Sequence, residues 1–586
     1  MKNDYVIRKI YQSFMLVSIL GVLTATVGML IDNIIVGQFL GTNALGAMGV
    51  VGPIASLFSM VGSISSSGGT AQAAQAVGRG DQNRLNRVFT SAMLYNIVLG
   101  VIFMAVGMVF TPQIAFVLGA KGELAAPAVE YLRGYFLGAI PMIMMLTLNS
   151  FVRMDGSPGM PLISVVVMSV SDIILDLVMV LVFRQGMFGM ALATTLSYFL
   201  ATAVIFTHFA KKNHALRLIL PGKAVSEMKG IVTTGVPTAI GSLCSMMRTT
   251  MLNNLLVAVV GAGAVAAFNV RSQANNIISA IIMGIGQALM PVAGMFFGEE
   301  DAGALKSTVR VTLKLGMAMG IAVAVILFIV PSVFSHILGV SDPQVLVMAD
   351  GAVRIYAVTI PIQLFNVVWM NFYQSTKKSG QATMITVLEN FAYSVLAAFI
   401  LIHPFGSNGV WFAFLIGEIL TALTLYIYVA YKKKKPLPGI SGFMLLGEDF
   451  GESAGGRWEF SIGNDMTQVV ALSGRITEYG KESDFDSHML NTLALCIEEI
   501  AGNVVQHAFS PGEKRWFDLM ILNKDDSVIV RMRDNGREFD PVRYLHENDD
   551  AEDKTMGLRL ISALTDQFEY RRTLGLNNVI ITIDKK

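Results

Sequence analysis

The chain has 586 residues and a formal net charge of +1, with 53% hydrophobic and only 15% charged residues. Ordinary soluble domains carry about a quarter charged residues, so a wholly soluble protein is excluded, and the near-neutral charge gives no reason to expect a nucleic-acid partner. Two cysteines, Cys244 and Cys496, cannot build a disulfide framework and suit a reducing interior.

The apolar excess lies before Tyr431, in stretches at roughly 10–39, 46–77, 88–118, 126–152, 161–183 and 187–209, then 231–260, 264–297, 308–338, 348–375, 382–402 and 409–431. Most reach the ~20 residues that span a hydrocarbon core, where backbone bonding requires helices. Shifted by 220 residues the chain overlies itself: Gly41 meets Gly261, Ala47 meets Ala267, and Gly78 and Asp81 meet Gly298 and Asp301. Further on, Leu118-Gly119 meets Leu338-Gly339 and Pro141 meets Pro361. The fold expected is a polytopic all-α membrane body of twelve transmembrane helices in two six-helix repeats, 1–220 and 221–431. Such repeats commonly face each other around a substrate path and rock to give alternating access.

Cations mark one side of the loops: Lys2, Arg8 and Lys9, then Arg79, Arg84 and Arg87, then 211–229, Lys306, Arg310, Lys377, Lys378 and Lys432 to Lys435. By the positive-inside rule both termini are expected in the cytoplasm, with the body in the cell membrane. The first apolar segment is too long for a cleavable signal.

Three acids fall inside first-lobe spans. Asp32 lies in the outer half of span one, and Asp172 and Asp176 share one face of span five at i, i+4 spacing. Intramembrane acids are functional by default, because only a group that changes charge can couple an ion to transport. Static bracing of the spans is the alternative. Leu252 stands where the repeat would place a second Asp32, so coupling is expected in the first lobe, with Glu389 and, less so, Glu418 as second-lobe candidates. Arg248 and Arg271 are expected to snorkel or pair. Pro141 and Pro361 mark matched bends, as hinges or as packing kinks.

The motifs Met29-Leu30-Ile31-Asp32-Asn33-Ile34-Ile35-Val36-Gly37 with Gly41 and Ala44-Leu45-Gly46-Ala47 resemble the multidrug and toxic compound extrusion (MATE) family. Asn253-Asn254, Gly261 and Ala264-Val265-Ala266-Ala267 answer in the second half, beside Gly78-Arg79-Gly80-Asp81 and Gly284-Ile285-Gly286-Gln287-Ala288-Leu289-Met290-Pro291. The likeness covers about 10–431. It implies an antiporter exchanging H+ or Na+ for small organic, often cationic, drug-like compounds. No phosphate-binding Gly-x-x-x-x-Gly-Lys-Ser/Thr loop occurs in the membrane half, which agrees with gradient-driven transport.

Lys432 to Lys435 and a Gly-rich stretch through Gly456 read as a linker, 432–456. Residues 457–586 read as one mixed α and β domain, with strands at Trp516 to Leu522, Ser527 to Arg533 and Asn578 to Asp584 and helices at Leu490 to Ala508 and Leu558 to Thr565. Glu499, Asn503 and His507 recur every four residues on one helix face. A carboxylate there can activate a hydroxyl, and an amide oxygen can hold Mg2+ against nucleotide phosphates. Asp534-Asn535-Gly536 closes a strand, and Gly557-Leu558 is expected to open a helix whose N-terminal amides could receive phosphate.

These boxes resemble the GHKL ATP-binding α/β sandwich, and specifically the anti-sigma-factor serine kinases. The resemblance implies Glu499 as catalytic base, Asn503 as Mg2+ ligand, Asp534 and Gly536 as the adenine box, and Gly557 as a phosphate-lid glycine. ATP and Mg2+ are then cofactors, and a cytoplasmic regulatory protein is a partner or a serine/threonine substrate. Where that family often has Gly-x-Gly-Leu this chain has Thr555-Met556-Gly557-Leu558, which leaves turnover open. Three readings stay open: an ion-coupled exporter with a regulatory nucleotide domain, a membrane-anchored signalling protein with a transporter-derived sensor, and a flippase for lipid-linked precursors.

Overall fold

The structure, a computed structural model, describes residues 4–210, 214–337, 342–447, 450–451, 456–482, 485–510, 513–548 and 552–585. The chain divides into two compact units, one of Phe14–Glu299 with Thr308–Leu446, the other of Met1–Ser13, Glu300–Ser307 and Gly447–Lys586.

The larger unit is helical throughout, as backbone in hydrocarbon must be. Its first lobe has α1 (Tyr5–Leu40), α2 (Thr42–Arg79), α3 (Gln82–Val109), the bent pair α4 (Gly122–Phe136) and α5 (Ala139–Met154), α6 (Gly159–Val182) and α7 (Gly186–Phe206). The second lobe has α8 (Met228–Val259), α9 (Ala262–Gly298), α10 (Ala302–Ile329), α11 (Pro343–Ser375), α12 (Ser379–Phe405) and α13 (Ser407–Lys433). Among the described residues, 11 helices are long and apolar enough to cross a membrane, and 12 if the bent pair is one span.

The repeat is visible in local chemistry. Gly41 and Gly261 take φ of +86° and +113° between matched helices, where a side chain would strain the turn. Asp81 accepts from the Arg84 amide at 2.8 Å and Asp301 from the Ala304 amide at 2.7 Å, capping matched helices α3 and α10. The two prolines do not match in effect. The 53° bend between α4 and α5 lies just before Pro141, whereas Pro361 sits inside unbroken α11. The third span also ends earlier than hydropathy suggests, at Phe110, with a separate short helix Thr111–Val117 after it. The Leu338-Gly339 match lies outside the described residues.

The lobes meet at the end of the bundle that carries the α2–α3 turn. A Cβ on Gly78 would lie 2.1 Å from Met295 O and one on Gly298 2.4 Å from Gln75 O, a reciprocal contact of α2 with α9 under the 220-residue repeat. Gly68 and Gly235 pack likewise, their added Cβ atoms falling 2.0 Å from Ile231 O and 2.1 Å from Ile64 O. Small residues let backbones approach where apolar area gives little drive for association. Polar bonds close the same end. Gln72 donates to Thr234 Oγ1 at 3.0 Å, Gln75 to Ser375 O at 2.8 Å and Gln374 to Thr234 O at 2.7 Å, while Arg84 donates to Gln72 Oε1 at 2.6 Å. The segment read as a linker contains a short helix, α14 (Gly439–Phe443), with Phe443 stacked on Trp369 at 5.1 Å and its carbonyl accepting from Tyr373 at 2.7 Å. Gly455 and its neighbours 452–454 are outside the described residues.

In the smaller unit an antiparallel sheet runs β1-β2-β3-β5-β4, from β1 (Arg457–Gly463), β2 (Trp516–Asn523), β3 (Ser527–Asp534), β4 (Gln567–Thr573) and β5 (Leu576–Asp584). Helices α15 (Met466–Glu482), α16 (Ser487–Asn503), α17 (Pro541–Glu547) and α18 (Glu552–Leu564) accompany it. Val469, Leu493, Ile497 and Ile561 pack with Phe517, Leu519, Val530 and Ile581 in one core, giving a two-layer α/β domain. Cys496 is wholly buried there, and burial pushes its thiol up to about 11. The unit also contains Asp301, which Arg457 Nη2 pairs at 2.5 Å.

The glycine contacts predict that Gly78→Ala and Gly235→Ala each destabilise the detergent-solubilised protein by about 1–3 kcal/mol. Gly49→Ala, where an added Cβ meets nothing within 4 Å, is expected to be neutral or stabilising in the same thermal-unfolding assay.

Candidate functional site

In the first lobe α1 presents Asp32 and α6 presents Asp172 and Asp176, with exposures of 9%, 7% and 0%. The sequence brought these three together, and the structure does so too. Asp176 lies against Asp32, yet neither Asp176 oxygen meets a hydrogen-bond donor among the described residues. Two carboxylates are both acceptors, so such a pair is bonded only when one holds a proton. Asp172 faces the hydroxyls of Ser197 and Thr194 on α7. Each acid precedes a π-turn, Val36–Leu40 after Asp32 and Val178–Val182 after Asp176, a backbone irregularity frequent at functional sites.

Tyr131 and Tyr135 of α4 and Tyr198 of α7 adjoin the acids, with Tyr131 and Tyr135 stacked at 5.6 Å and Tyr135 stacked on Phe58 at 5.5 Å. Sequence reasoning missed these phenols. Their only signal was tyrosine inside an apolar span.

In the second lobe, Leu252 is fully buried at the position that answers Asp32. Glu389 sits in a third π-turn, Leu388–Ala392, and adjoins Glu418 of α13. Asn366 of α11 donates to Glu418 Oε2 at 2.7 Å. The two arginines do not snorkel. Arg271 is 5% exposed with its guanidinium 3.5 Å from the Phe414 ring centre, and Arg248 lies 4.9 Å from the same ring while donating to Glu389 O at 3.3 Å.

In the C-terminal domain the three boxes converge on one cleft. Glu499 and Asn503 stand on the last turn of α16, and Asn503 Nδ2 donates to Glu499 Oε1 at 3.3 Å. That bond leaves Asn503 Oδ1 with no donor among the described residues. Asp534 ends β3, and its Oδ1 accepts from Gly536 N at 2.7 Å and Asn577 Nδ2 at 2.8 Å, while Oδ2 receives nothing among the described residues. Burial raises the Asp534 carboxyl, opposed by these two donors and by Arg572. Gly536 is needed for close approach, since a Cβ there would lie 2.4 Å from Ala508 O. His507 and Arg537 also line the cleft, beside Asn503, Asp534, Leu558 and Asn577.

Gly557 corrects the sequence reading. It does not open a helix; α18 begins at Glu552, so the Gly557 amide lies past the first turn, where helical bonding consumes it. Its bare Cα instead seats against the Glu499 carboxylate: an added Cβ would fall 1.9 Å from Oε1, and the flexible end of that side chain would have to move. Helix-forming residues from Glu552 onward extended the helix back through the expected start.

The MatE family profile matches residues 18–178 and 237–400. A profile described as histidine kinase-like ATPase domain matches 462–583. The chain is 26% identical over 359 residues to the multidrug export protein MepA of Staphylococcus aureus (strain MRSA252), covering 60% of this chain and 78% of that protein. It is 25% identical over 359 residues to MepA of Staphylococcus saprophyticus, with the same coverage. Among solved structures, an outward-facing multidrug resistance MATE family transporter of the MOP superfamily is similar at a TM-score of 0.68 with 20% identity, over 73% of this chain and 97% of that one. A MOP superfamily transporter from Pyrococcus furiosus gives 0.68 with 21% identity, over 75% and 97%. The duplicated bundle and the profile spanning both of its lobes therefore place the chain in the MATE family, here joined to a C-terminal histidine kinase-like ATPase domain.

Proposed function

We propose that the chain is a proton-coupled antiporter that exports small organic cations across the cell membrane by alternating access, with both termini cytoplasmic and a nucleotide-responsive domain attached. The Asp32–Asp176 contact carries this reading. With one proton between them the two carboxylates form a stable pair, and loss of that proton leaves adjacent negative charge that a cation relieves. Asp172, one turn away, adds to that attraction. Proton and cation would then occupy the same acids in turn, which is the exchange an antiporter needs. Sodium is the other candidate ion. The names of the MepA relatives, which are multidrug export proteins, support a drug-like cargo. The glycine-lined contact between lobes would be the gate that parts when the cargo site turns to the cytoplasm.

In the attached domain, the free Asn503 Oδ1 suits Mg2+ and the free Asp534 Oδ2 suits an adenine amine, so the residues fit Mg2+ and ATP. Asn503 would hold a metal that offsets phosphate charge, and Glu499 would accept a proton from a hydroxyl. Gly557 seats against the Glu499 carboxylate, so that side chain or α18 would shift to admit the phosphates. Regulation of export is the role that best suits the domain, because its compact unit includes Glu300–Ser307, the end of the α9–α10 turn and the first residues of α10. Export measured with and without Mg·ATP in the vesicle lumen facing that domain tests this role.

Ethidium export by proteoliposomes with an imposed pH gradient is expected to fall at least tenfold in Asp32→Asn and in Asp176→Asn, with folding retained on size exclusion. Export at the wild-type rate by either folded variant would remove that acid from coupling.

The full-length protein is expected to bind Mg·ATP, and to lose at least tenfold in affinity on Asn503→Ala. Glu499→Gln should spare binding and stop any phosphoryl transfer. The raised Asp534 carboxyl takes up a proton at a higher pH than an ordinary aspartate does. As pH falls, ATP affinity should therefore decline before other carboxylates titrate, and above that range it should be flat. Affinity unchanged down to the ordinary aspartate range would dissociate Asp534 from adenine.

A further inference from the structure

The first lobe gathers acids without a base, whereas the second gathers two arginines that nothing in the coupling scheme uses. Under the 220-residue repeat, Arg271 answers to Val51 and Arg248 to Gly28, so neither is inherited from the duplicated scaffold. Arg271 is 5% exposed and has no hydrogen bond or ion pair among the described residues; its guanidinium meets the faces of Phe414 at 3.5 Å and Tyr356 at 5.1 Å. Arg248 places its own guanidinium on Phe414 at 4.9 Å, and its Nε is buried without an acceptor. A guanidinium stays charged in proteins, and a desolvated one without a counter-ion is costly. Stacking on aromatic faces recovers part of that cost and leaves the in-plane donors of Arg271 unused.

Glu418 and Glu389 attract the arginines electrostatically without closing an ion pair with them among the described residues. Glu418 is held by Asn366, whose amide donates to its Oε2 at 2.7 Å and to its backbone oxygen at 3.1 Å. Glu389 receives Arg248 on its backbone carbonyl and lies with its carboxyl against Glu418. Neither makes an ion pair with Arg271 or Arg248 among the described residues. When the two acids share one proton, the cluster of two arginines and that pair carries net positive charge. Phe414 fixes both guanidinium planes, and an arginine fork matches a carboxylate or phosphate edge in a bidentate fashion.

We infer that the second lobe holds an anion-binding site built by Arg271 and Arg248 on Phe414, which takes a carboxylate- or phosphate-type group on the transported molecule. The cargo favoured by this chain is then zwitterionic, its cationic part answered by Asp32 and Asp176 in the first lobe and its anionic part by Arg271. The statement about cargo rests on the exporter reading, but binding to the site does not, since it can be measured in detergent without any gradient.

Rhodamine 110 carries a free carboxyl, and rhodamine 123 is its methyl ester, so the two dyes differ in the group at issue. Fluorescence anisotropy with the purified full-length protein should show rhodamine 110 bound about tenfold more tightly than rhodamine 123. Arg271→Gln should remove that preference while leaving rhodamine 123 affinity within twofold of wild type, and Arg271→Lys should restore part of it. Once the dye preference is found, competition against rhodamine 110 by millimolar inorganic phosphate would identify the site as open to free anions as well, and lack of competition would assign it to cargo alone. Equal affinity of the wild type for the two dyes, or a preference retained by folded Arg271→Gln, overturns the inference. The wild-type comparison decides by itself if the variant fails to fold. Gradient-driven ethidium export that persists alongside equal dye affinities would sink the anion site and leave the exporter standing.

Discussion

A carboxylate taken out of water needs a proton, a donor or a counter-ion, and Asp176 has no donor among the described residues. The first lobe is organised around that constraint. α1 and α6 bring Asp32 and Asp176 into contact, α7 supplies hydroxyls to Asp172, and the tyrosines of α4 and α7 form the wall beside them. The π-turns that follow Asp32 and Asp176 shift the ladder by one residue next to the acids, a distortion that a purely structural helix pair has no reason to keep. The second lobe, built on the same scaffold, carries Leu252 in place of an acid and arginines in place of Val51 and Gly28. Duplication thus gives the two-lobed frame, and divergence within it gives opposite polarity.

Transport needs two arrangements of nearly equal free energy, and the contact between lobes has the character of a reversible seal. Backbone-to-backbone approach at Gly78, Gly298, Gly68 and Gly235 buries little apolar side chain, and the bonds of Gln72, Gln75 and Gln374 can be exchanged for water. A contact made of large interlocked side chains would be harder to part. The same logic extends to the nucleotide cleft, where α18 rests on Glu499 through the bare Cα of Gly557.

Much of the fold was legible because its determinants are local. Length and apolarity located the spans, the repeat paired Gly41 with Gly261 and Asp81 with Asp301, and the boxes around Glu499, Asn503 and Asp534 converge in space as their order implied. What escaped depends on neighbours distant in sequence. β1, Arg-Trp-Glu-Phe-Ser-Ile-Gly, alternates apolar and polar residues but goes unmarked beside the Gly-rich stretch, and edge strand β4, Gln-Phe-Glu-Tyr-Arg-Arg-Thr, offers only Phe568 and Tyr570 to the core. Tyr131 looks like any aromatic in a span until α6 is placed beside it. Arg248 and Arg271 looked like residues near span ends, and only the position of Phe414 on α13 shows them buried. Gly557 looked like a helix start, whereas it lies within α18 and seats against Glu499 on another helix.

The central claim is that the proton shared by Asp32 and Asp176 is displaced by the cargo. It is tested most directly by proton release on ligand binding, with no gradient and no membrane. Ethidium added to the full-length protein in weakly buffered detergent solution near neutral pH should release protons approaching one per bound ligand, and Asp32→Asn should abolish the release. Stoichiometric ethidium binding to the wild type with no proton released would contradict the account.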